Sequence, residues 1–419
     1  MKELFIKRKL ENKIKKFIKR KEIIAIRGAR QVGKTTLLKM IEEGVSDPKV
    51  FINLDIPENR KNLEENPLDF VKRFKKPGKK LFLFLDEIQR LKDGGEKLKI
   101  IFDEVPDVKM LISGSSSLEL KSKILPFLVG RAFLFELYTF GFEEFLSSRD
   151  ESLLKLFQEK HASLKRFIDG SGDITSPSFS DEFLRYWKDY VIFGGYPEVV
   201  KAKETEKIAI LKNIFDLYIE RDISTFFKIE DTGKFEDLVK ILSFRTSDLL
   251  SVSSLSSDLK FSIRNVEEFL NILKHTYVIY LLAPFYKNMS TELRKARKVY
   301  FLDLGLRNSA ISNFSSFDNR TDKGELMENF VLRELLIEFE DWKINYWRTT
   351  GKAEVDFILS KEEKIIPIEV KLHGENLGKS FYSFLNTYKP EKGIIVTLDK
   401  FGKKKIGKTT VYWVPVFYF

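Results

Sequence analysis

The chain has 419 residues, with 73 Lys+Arg against 62 Asp+Glu, 3 His and no Cys. The missing cysteine excludes disulfides, Cys-ligated zinc or iron–sulfur sites and a thiol nucleophile, and three scattered histidines leave little for an imidazole metal site. A formal net charge of +11 in a chain that is 32% charged describes a mildly basic, mixed-sign surface, which suits a polyanionic partner and plain solubility alike.

At roughly 100–200 residues per domain the length predicts two to three domains. No apolar run reaches about 18 residues, so neither a membrane span nor a membrane partner is expected. The N-terminal MKELFIKRKLENKIKKFIKR lacks the apolar stretch of a secretory signal, and the expected location is the cytoplasm. Its apolar stripe at helical spacing (Phe5, Ile6, Leu10, Ile14, Phe17, Ile18) is expected to pack on its own domain.

Strand signals come first at Lys21–Ile26, Val50–Leu54, Leu81–Leu85, Lys109–Ser113 and Ala132–Leu137, with helix signals between them, beginning at Thr35–Glu43. Strands alternating with helices imply βαβ units around a parallel sheet, and the uninterrupted LFLFL suits a strand buried on both faces. From Asp150 to Ile168 the pattern is that of an amphipathic helix, followed by a Gly/Ser/Pro loop at Gly170–Ser180. Mostly helix is expected from Asp181 to Leu306. Within it, short helices over Ser251–Leu282 and strands at Tyr277–Pro284 and Lys298–Leu302 outline a winged helix. The polar stretch 308–323 suits a linker, and the remainder predicts helix, three strands, helix and two strands.

Gly28-Ala-Arg-Gln-Val-Gly33-Lys34-Thr35 fits G-x-x-x-x-G-K-[ST] between a strand and a helix. Backbone N–H groups of such a loop curl around phosphate, the lysine supplies a point charge and the threonine hydroxyl suits Mg²⁺. The candidate nucleotide-binding set is therefore Gly28, Gly33, Lys34, Thr35 and Thr36, with ATP and Mg²⁺ as cofactors. LFLFL-Asp86-Glu87 supplies the acidic complement, Asp86 toward Mg²⁺ and Glu87 toward the attacking water. Ser113, with Ser115 nearly as good, is placed to sense the γ-phosphate at the end of the next strand. Arg131, with Arg221 as a poorer choice, is either an arginine finger on a neighbouring subunit's nucleotide or a surface residue, which leaves a homo-oligomer open.

A second acidic site is expected near the C-terminus. Ala353-Glu-Val-Asp356 and Ile366-Pro-Ile-Glu369-Val-Lys371 both suit strands, and alternation puts Glu369 and Lys371 on one face with Asp356 on a neighbouring strand. Glu328 lies on the preceding helix. Asp356 and Glu369 are candidate Mg²⁺ ligands and Lys371 a candidate to orient water, which is the equipment of metal-assisted phosphodiester hydrolysis. The alternative is an ordinary Glu–Lys contact on a half-exposed sheet.

Together these stretches resemble the family of prokaryotic ATPases, abundant in archaea, that joins an AAA-type P-loop domain to a C-terminal DUF4143 region. The resemblance runs through GARQVGKTTLL, LFLDEIQ, ISGSSS, the Gly130-Arg131 pair, YTFGFEEFL, FGGYPEVV, YIERDI, KVYFLDLGLR, GELMENFVLREL and AEVDFIL…IPIEVK. It implies a P-loop ATPase domain at 1–146, a helical region at 147–235, a winged-helix-like domain at 236–307, a linker at 308–323 and a PD-(D/E)XK nuclease-like domain at 324–419. The implied fold class is α/β, with an N-terminal P-loop parallel sheet and a C-terminal restriction-endonuclease-like domain. Glu328, Asp356, Glu369 and Lys371 match the nuclease positions, whereas no second sensor arginine follows the helical region. The leading expectation is an ATPase that engages DNA and cuts it, with Lys260, Arg264, Lys274 and the cluster Arg294–Lys298 toward the phosphate backbone. The rival is a nucleotide-driven switch or protein-interaction NTPase whose nuclease fold is idle.

Overall fold

The structure, a computed structural model, describes residues 5–114, 120–170, 172–219, 231–285, 296–374 and 376–419. The chain forms two compact units: Met1–Thr139 with Ile272–Val278, and Phe140–Asn271 with Ile279–Phe419.

The first unit is built on five parallel strands, β1 (Ile23–Arg27), β2 (Lys49–Asn53), β3 (Leu81–Asp86), β4 (Val108–Gly114) and β5 (Ala132–Glu136), in the order β2-β3-β4-β1-β5. All five lie where the apolar runs predict strands. β3 and β4 are buried along their whole length, as their uninterrupted apolar sequence requires of central parallel strands. Because β4 is inserted between β1 and β3, with Ser113 opposite Ile26 and Ile112 opposite Leu85, its C-terminal end lies between the ends of the other two. The N-terminal helix Lys9–Lys15 buries Leu10 and Ile14. The Phe17 ring lies 4.5 Å from Phe133 and 5.6 Å from Phe135, so the apolar stripe packs on its own unit.

One lysine of this unit sits where only an apolar residue would be comfortable. Lys109, on β4, is fully buried and donates to the carbonyls of Phe17 and Glu22. Burial lowers its ammonium to about 8, with Lys80 adding to the effect and Glu22 opposing it.

The second unit begins with helices. Asp150 caps Glu151–Asp169 by accepting from the N–H groups of Ser152 and Leu153, a contact worth about 1 kcal/mol, and Gly170 at φ 125° ends it. Phe330, on helix Lys323–Glu338, lies with ring centroids 5.9 Å from Phe142, 5.7 Å from Trp187 and 5.9 Å from Tyr190, an aromatic centre joining several helices. Helices Val252–Leu259 and Ile263–His275 precede an antiparallel pair, β6 (Ile279–Leu282) and β7 (Lys298–Phe301).

A six-stranded mixed sheet follows, from β8 (Lys343–Arg348), β9 (Glu354–Lys361), β10 (Lys364–Val370), β11 (Lys392–Thr397), β12 (Gly402–Ile406) and β13 (Thr409–Pro415), ordered β12-β13-β11-β10-β9-β8. The sequence pattern predicts five strands here, one fewer than form, and β12 carries the weakest strand signal. Its GKKKI carries three exposed lysines and lacks the apolar alternation that marks a half-buried strand, because it is an edge. At the other edge, β8 is covered: Phe285 donates to the Tyr346 carbonyl at 2.5 Å and Tyr346 to the Ala283 carbonyl at 3.1 Å. The stretch 308–323, expected as a linker, is packed within this unit. Asn308 donates to the carbonyls of Val191 and Ile192, Phe317 is 2% exposed, and Arg320 is buried against Asp322.

Among the described residues no helix is long and apolar enough to cross a membrane.

Candidate functional site

The turn after β1 has the shape a phosphate loop needs. Gly33 sits at φ 93° before helix Lys34–Glu43, a conformation that favours glycine, and a Cβ on Gly28 would lie 2.1 Å from the Leu137 carbonyl oxygen. Lys34 is 5% exposed, and its ammonium donates to the carbonyls of Gly28 (3.1 Å) and Ala29 (2.6 Å), bending back over the loop. Below it the Thr35 hydroxyl donates to Asp86 Oδ2 at 2.6 Å, and the Ser113 hydroxyl donates to Asp86 Oδ1. The first turn of the helix and the inserted β4 thus each bring one hydroxyl to the carboxylate that ends β3. Glu87 follows in the left-handed region at φ 56° and accepts from the Gln89 amide, while Thr36 is half-buried in the first helical turn. Thr35 and Asp86 place two hard oxygens side by side under the loop lysine, a donor set that fits Mg²⁺.

Arg131 is not brought to this place. It precedes β5, level with the start of β1, whereas the loop leaves the opposite end of that strand, and its guanidinium is forked onto Asp103 at 3.0 and 3.1 Å. Ser115 and Arg221 lie outside the described residues. Sequence reasoning overlooked Arg8, which is 5% exposed and donates to the Val32 carbonyl in the loop (2.7 Å) and to the Tyr138 carbonyl beyond β5 (2.6 Å). An isolated arginine in a basic N-terminal run carries no signal of that role.

The C-terminal candidates converge in the second unit. β9 and β10 are antiparallel with Phe357 opposite Ile368, so the register brings Glu369 across from Asp356, and the Val370 N–H donates to Asp356 Oδ2 at 2.8 Å. Lys371 Nζ stands 3.2 Å from Glu369 Oε1. Glu369 Oε2 is buried and has no hydrogen-bond partner among the described residues. Glu328 comes from helix Lys323–Glu338 and accepts from the Tyr300 hydroxyl at 2.5 Å.

Lys298 is a correction to the sequence reading. The sequence groups it with the basic cluster Arg294–Lys298 toward DNA, yet it is 3% exposed. Its ammonium lies 3.0 Å from Glu328 Oε1, 2.5 Å from Glu354 Oε1 and 3.9 Å from Asp356 Oδ1. As the first residue of β7 it shares a face with Tyr300, and both turn inward onto the carboxylates. Glu354, also overlooked, lies two residues before Asp356 on β9 and accepts from Arg348 at 2.6 Å. Of the other lysines and arginines assigned to DNA, Lys260, Arg264 and Lys274 are exposed, Arg297 is half-buried, and Arg294 and Lys295 lie outside the described residues.

Charge is incompletely balanced here. Burial pushes the Glu328 carboxyl up, with Asp356 adding to the rise and Lys298 opposing it. Burial also raises Asp356, where Lys298 opposes and Glu369 reinforces, and it raises Glu369 against the pull of Lys371. Lys298 goes upward: burial works against its charge, and Glu328, Asp356 and Glu354 override that. Among the described residues no three His, Asp or Glu side chains are arranged to hold a metal by themselves. Mg²⁺, however, is commonly held by one or two carboxylates with waters and substrate phosphate, and Asp356 with the unpartnered Glu369 oxygen fits that smaller set.

Residues 20–146 match the family described as AAA domain. The first unit is an AAA-type P-loop fold. Residues 184–317 and 323–417 match two domains of unknown function, DUF8612 and DUF4143. Over nearly its full length the chain is similar to an uncharacterized protein of Haemophilus influenzae, 23% identical over 96% of each chain. It is also similar to one of Methanocaldococcus jannaschii, 25% identical over 92% of this chain and 83% of that one. Among solved structures it is similar to the Aeropyrum pernix ORC1 protein in complex with DNA (12% identity, 74% of this chain and 93% of that one, TM-score 0.33). The ADP form of the ORC2 protein from the same organism gives 12% identity, 75% and 96% coverage and a TM-score of 0.33.

Proposed function

We propose that the AAA unit binds ATP with Mg²⁺ and hydrolyses it. The observation that carries this is the Asp86 carboxylate held by Thr35 and Ser113 beside the loop lysine. In this reading Lys34 leaves the loop carbonyls to take the β- and γ-phosphates, and the loop N–H groups line the phosphate chain. Thr35 and Asp86 would hold Mg²⁺, whose charge would offset that on the transferring phosphoryl group. Ser113 keeps Asp86 oriented, and Glu87 orients the attacking water and accepts its proton. The test is ATP turnover with and without Mg²⁺ in wild type and Glu87→Gln. The variant is expected to bind ATP within a few-fold of wild type and to turn it over about 10²–10⁴-fold more slowly. Undiminished turnover removes Glu87 from the mechanism.

A second activity, cleavage of DNA at the acidic site, is favoured by the Asp356–Glu369 juxtaposition and the unpartnered Glu369 oxygen. Asp356 and Glu369 would hold the divalent ion, which polarises the phosphodiester, and Lys371 would steady the developing charge. Exposed Lys260, Arg264 and Lys274 suit backbone contacts, so affinity for duplex DNA is expected to fall steeply between low and moderate salt. Plasmid incubated with Mg²⁺ or Mn²⁺ is expected to be cut by wild type but not by Asp356→Ala or Lys371→Ala, with ATP turnover unchanged in all three. Plasmid left intact by every form, with turnover normal, favours the idle-fold switch.

A further inference from the structure

Four carboxylates lie together in the second unit, and a cation of the chain itself stands among three of them. Glu328, Glu354 and Asp356 come from a helix and a strand, and the Lys298 ammonium lies within 4 Å of all three, at 3.0, 2.5 and 3.9 Å. The Lys298 side chain is 4% exposed, so this is no solvated surface pair. It reaches the carboxylates from β7, a strand outside the six-stranded sheet, with Tyr300 two residues on touching the same Glu328. Hard oxygens converging on a positive charge are the surroundings that a divalent ion seeks. The remaining carboxylate, Glu369, has Lys371 on one oxygen and, among the described residues, no hydrogen-bond partner on the other.

We infer that Lys298 is the resident cation of the acidic site: its ammonium fills the position between Glu328, Glu354 and Asp356, and confines any divalent ion to the Asp356–Glu369 side. The inference rests on the metal-dependent reading above and adds a residue that reading does not contain. Lys298 is a positioning residue. It occupies oxygens of Glu328 and Glu354 that would otherwise be open to metal, and thereby sets how many ions the site accepts.

The test counts Mn²⁺ bound per chain, by electron paramagnetic resonance of free Mn²⁺ during titration of nucleotide-free, full-length protein. The P-loop contributes equally to each form compared. Lys298→Gln is expected to bind one more Mn²⁺ than wild type, or to bind at least tenfold more tightly, and Lys298→Arg to match wild type. An unchanged count and affinity in Lys298→Gln overturns the inference. Should that variant fail to fold, Lys298→Gln/Glu354→Gln, which deletes one charge of each sign, carries the same comparison. Asp356→Ala separates the two layers. If wild type holds an ion that Asp356→Ala loses, and Lys298→Gln gains nothing, the metal reading stands and the Lys298 assignment falls. If only Lys298→Gln holds an ion at the site, the assignment stands and wild-type metal chemistry falls. If neither does, both fall.

Discussion

Two buried lysines, Lys34 and Lys298, are almost equally hidden from water at 5% and 3% exposure, and their surroundings assign them opposite work. Lys34 lies on the uncharged carbonyls of Gly28 and Ala29, contacts that an incoming phosphate outcompetes because a charge-assisted bond is roughly twice as strong as a neutral one. Lys298 lies among Glu328, Glu354 and Asp356, and nothing neutral or singly charged can replace three carboxylates around one ammonium. The lesson concerns acceptors more than lysines. Carbonyl partners leave a buried ammonium exchangeable, and converging carboxylates fix it in place.

The largest expected effect tests the exchangeable member. Lys34→Ala should abolish ATP turnover and weaken nucleotide binding by at least about 100-fold. Its thermal unfolding should fall only modestly, since the groups it leaves, the buried carbonyls of Gly28 and Ala29, carry no charge. Turnover that survives this change would overturn the phosphate-loop assignment. The fixed member should behave in reverse. Lys298→Met strands buried carboxylates and is expected to cost about 3–5 kcal/mol of stability, measured by denaturant unfolding, with ATP turnover per folded molecule unchanged. A loss below about 1 kcal/mol would place Lys298 in water.

A third lysine, Lys109, extends the contrast to an ammonium far from any phosphate loop. Lys109 is held by two carbonyls in full burial, with its pKa lowered to about 8 from 10.5. Between those values the unfolded chain binds more protons than the folded one, so stability should climb as pH rises from about 8 to 10.5. The gain is on the order of 3 kcal/mol at the top of the window. Lys109→Met should flatten that rise, and a stability curve with the same slope in both forms contradicts the buried ammonium. The smallest effect belongs to Arg8. Arg8→Ala should raise KM for ATP several-fold with kcat little changed, because it frees the Val32 carbonyl without touching the Asp86 cluster; a selective fall in kcat would argue for a direct part in chemistry.

The same contrast explains what was legible beforehand. The nucleotide site is written mainly in two short runs, 28–36 and 81–87, whose residue types and flanking strands all point one way, and Ser113 follows from the order of strands. The acidic site is assembled from β7, a helix and two strands spanning residues 298 to 371, so only members on the same strand share a readable spacing. Asp356, Glu369 and Lys371 were recoverable through strand alternation, and Glu354 by the same rule, being two residues from Asp356. Lys298 was not. In RKARK its neighbours are all small or basic, and only the pairing of β7 with β6 turns it inward. Lys298 and β12 failed in opposite directions for one reason: a lysine signals solvent, and in a strand its face and edge decide whether solvent is there.

The six-stranded sheet ends differently on its two sides. The segment at residues 283–285 covers β8, while β12 leaves its outer backbone beside Lys403, Lys404 and Lys405. A strand from another molecule approaching that border would bring its own carbonyls and amides against the ammonium groups of Lys404 and Lys405, which repel their counterparts when two copies meet border to border, while Lys403 is paired with Asp173. Growth of the sheet into a filament is therefore opposed by charge on one side and by the chain's own backbone on the other. Of those two guards only the lysines yield to salt, so concentrated electrolyte should expose this border first.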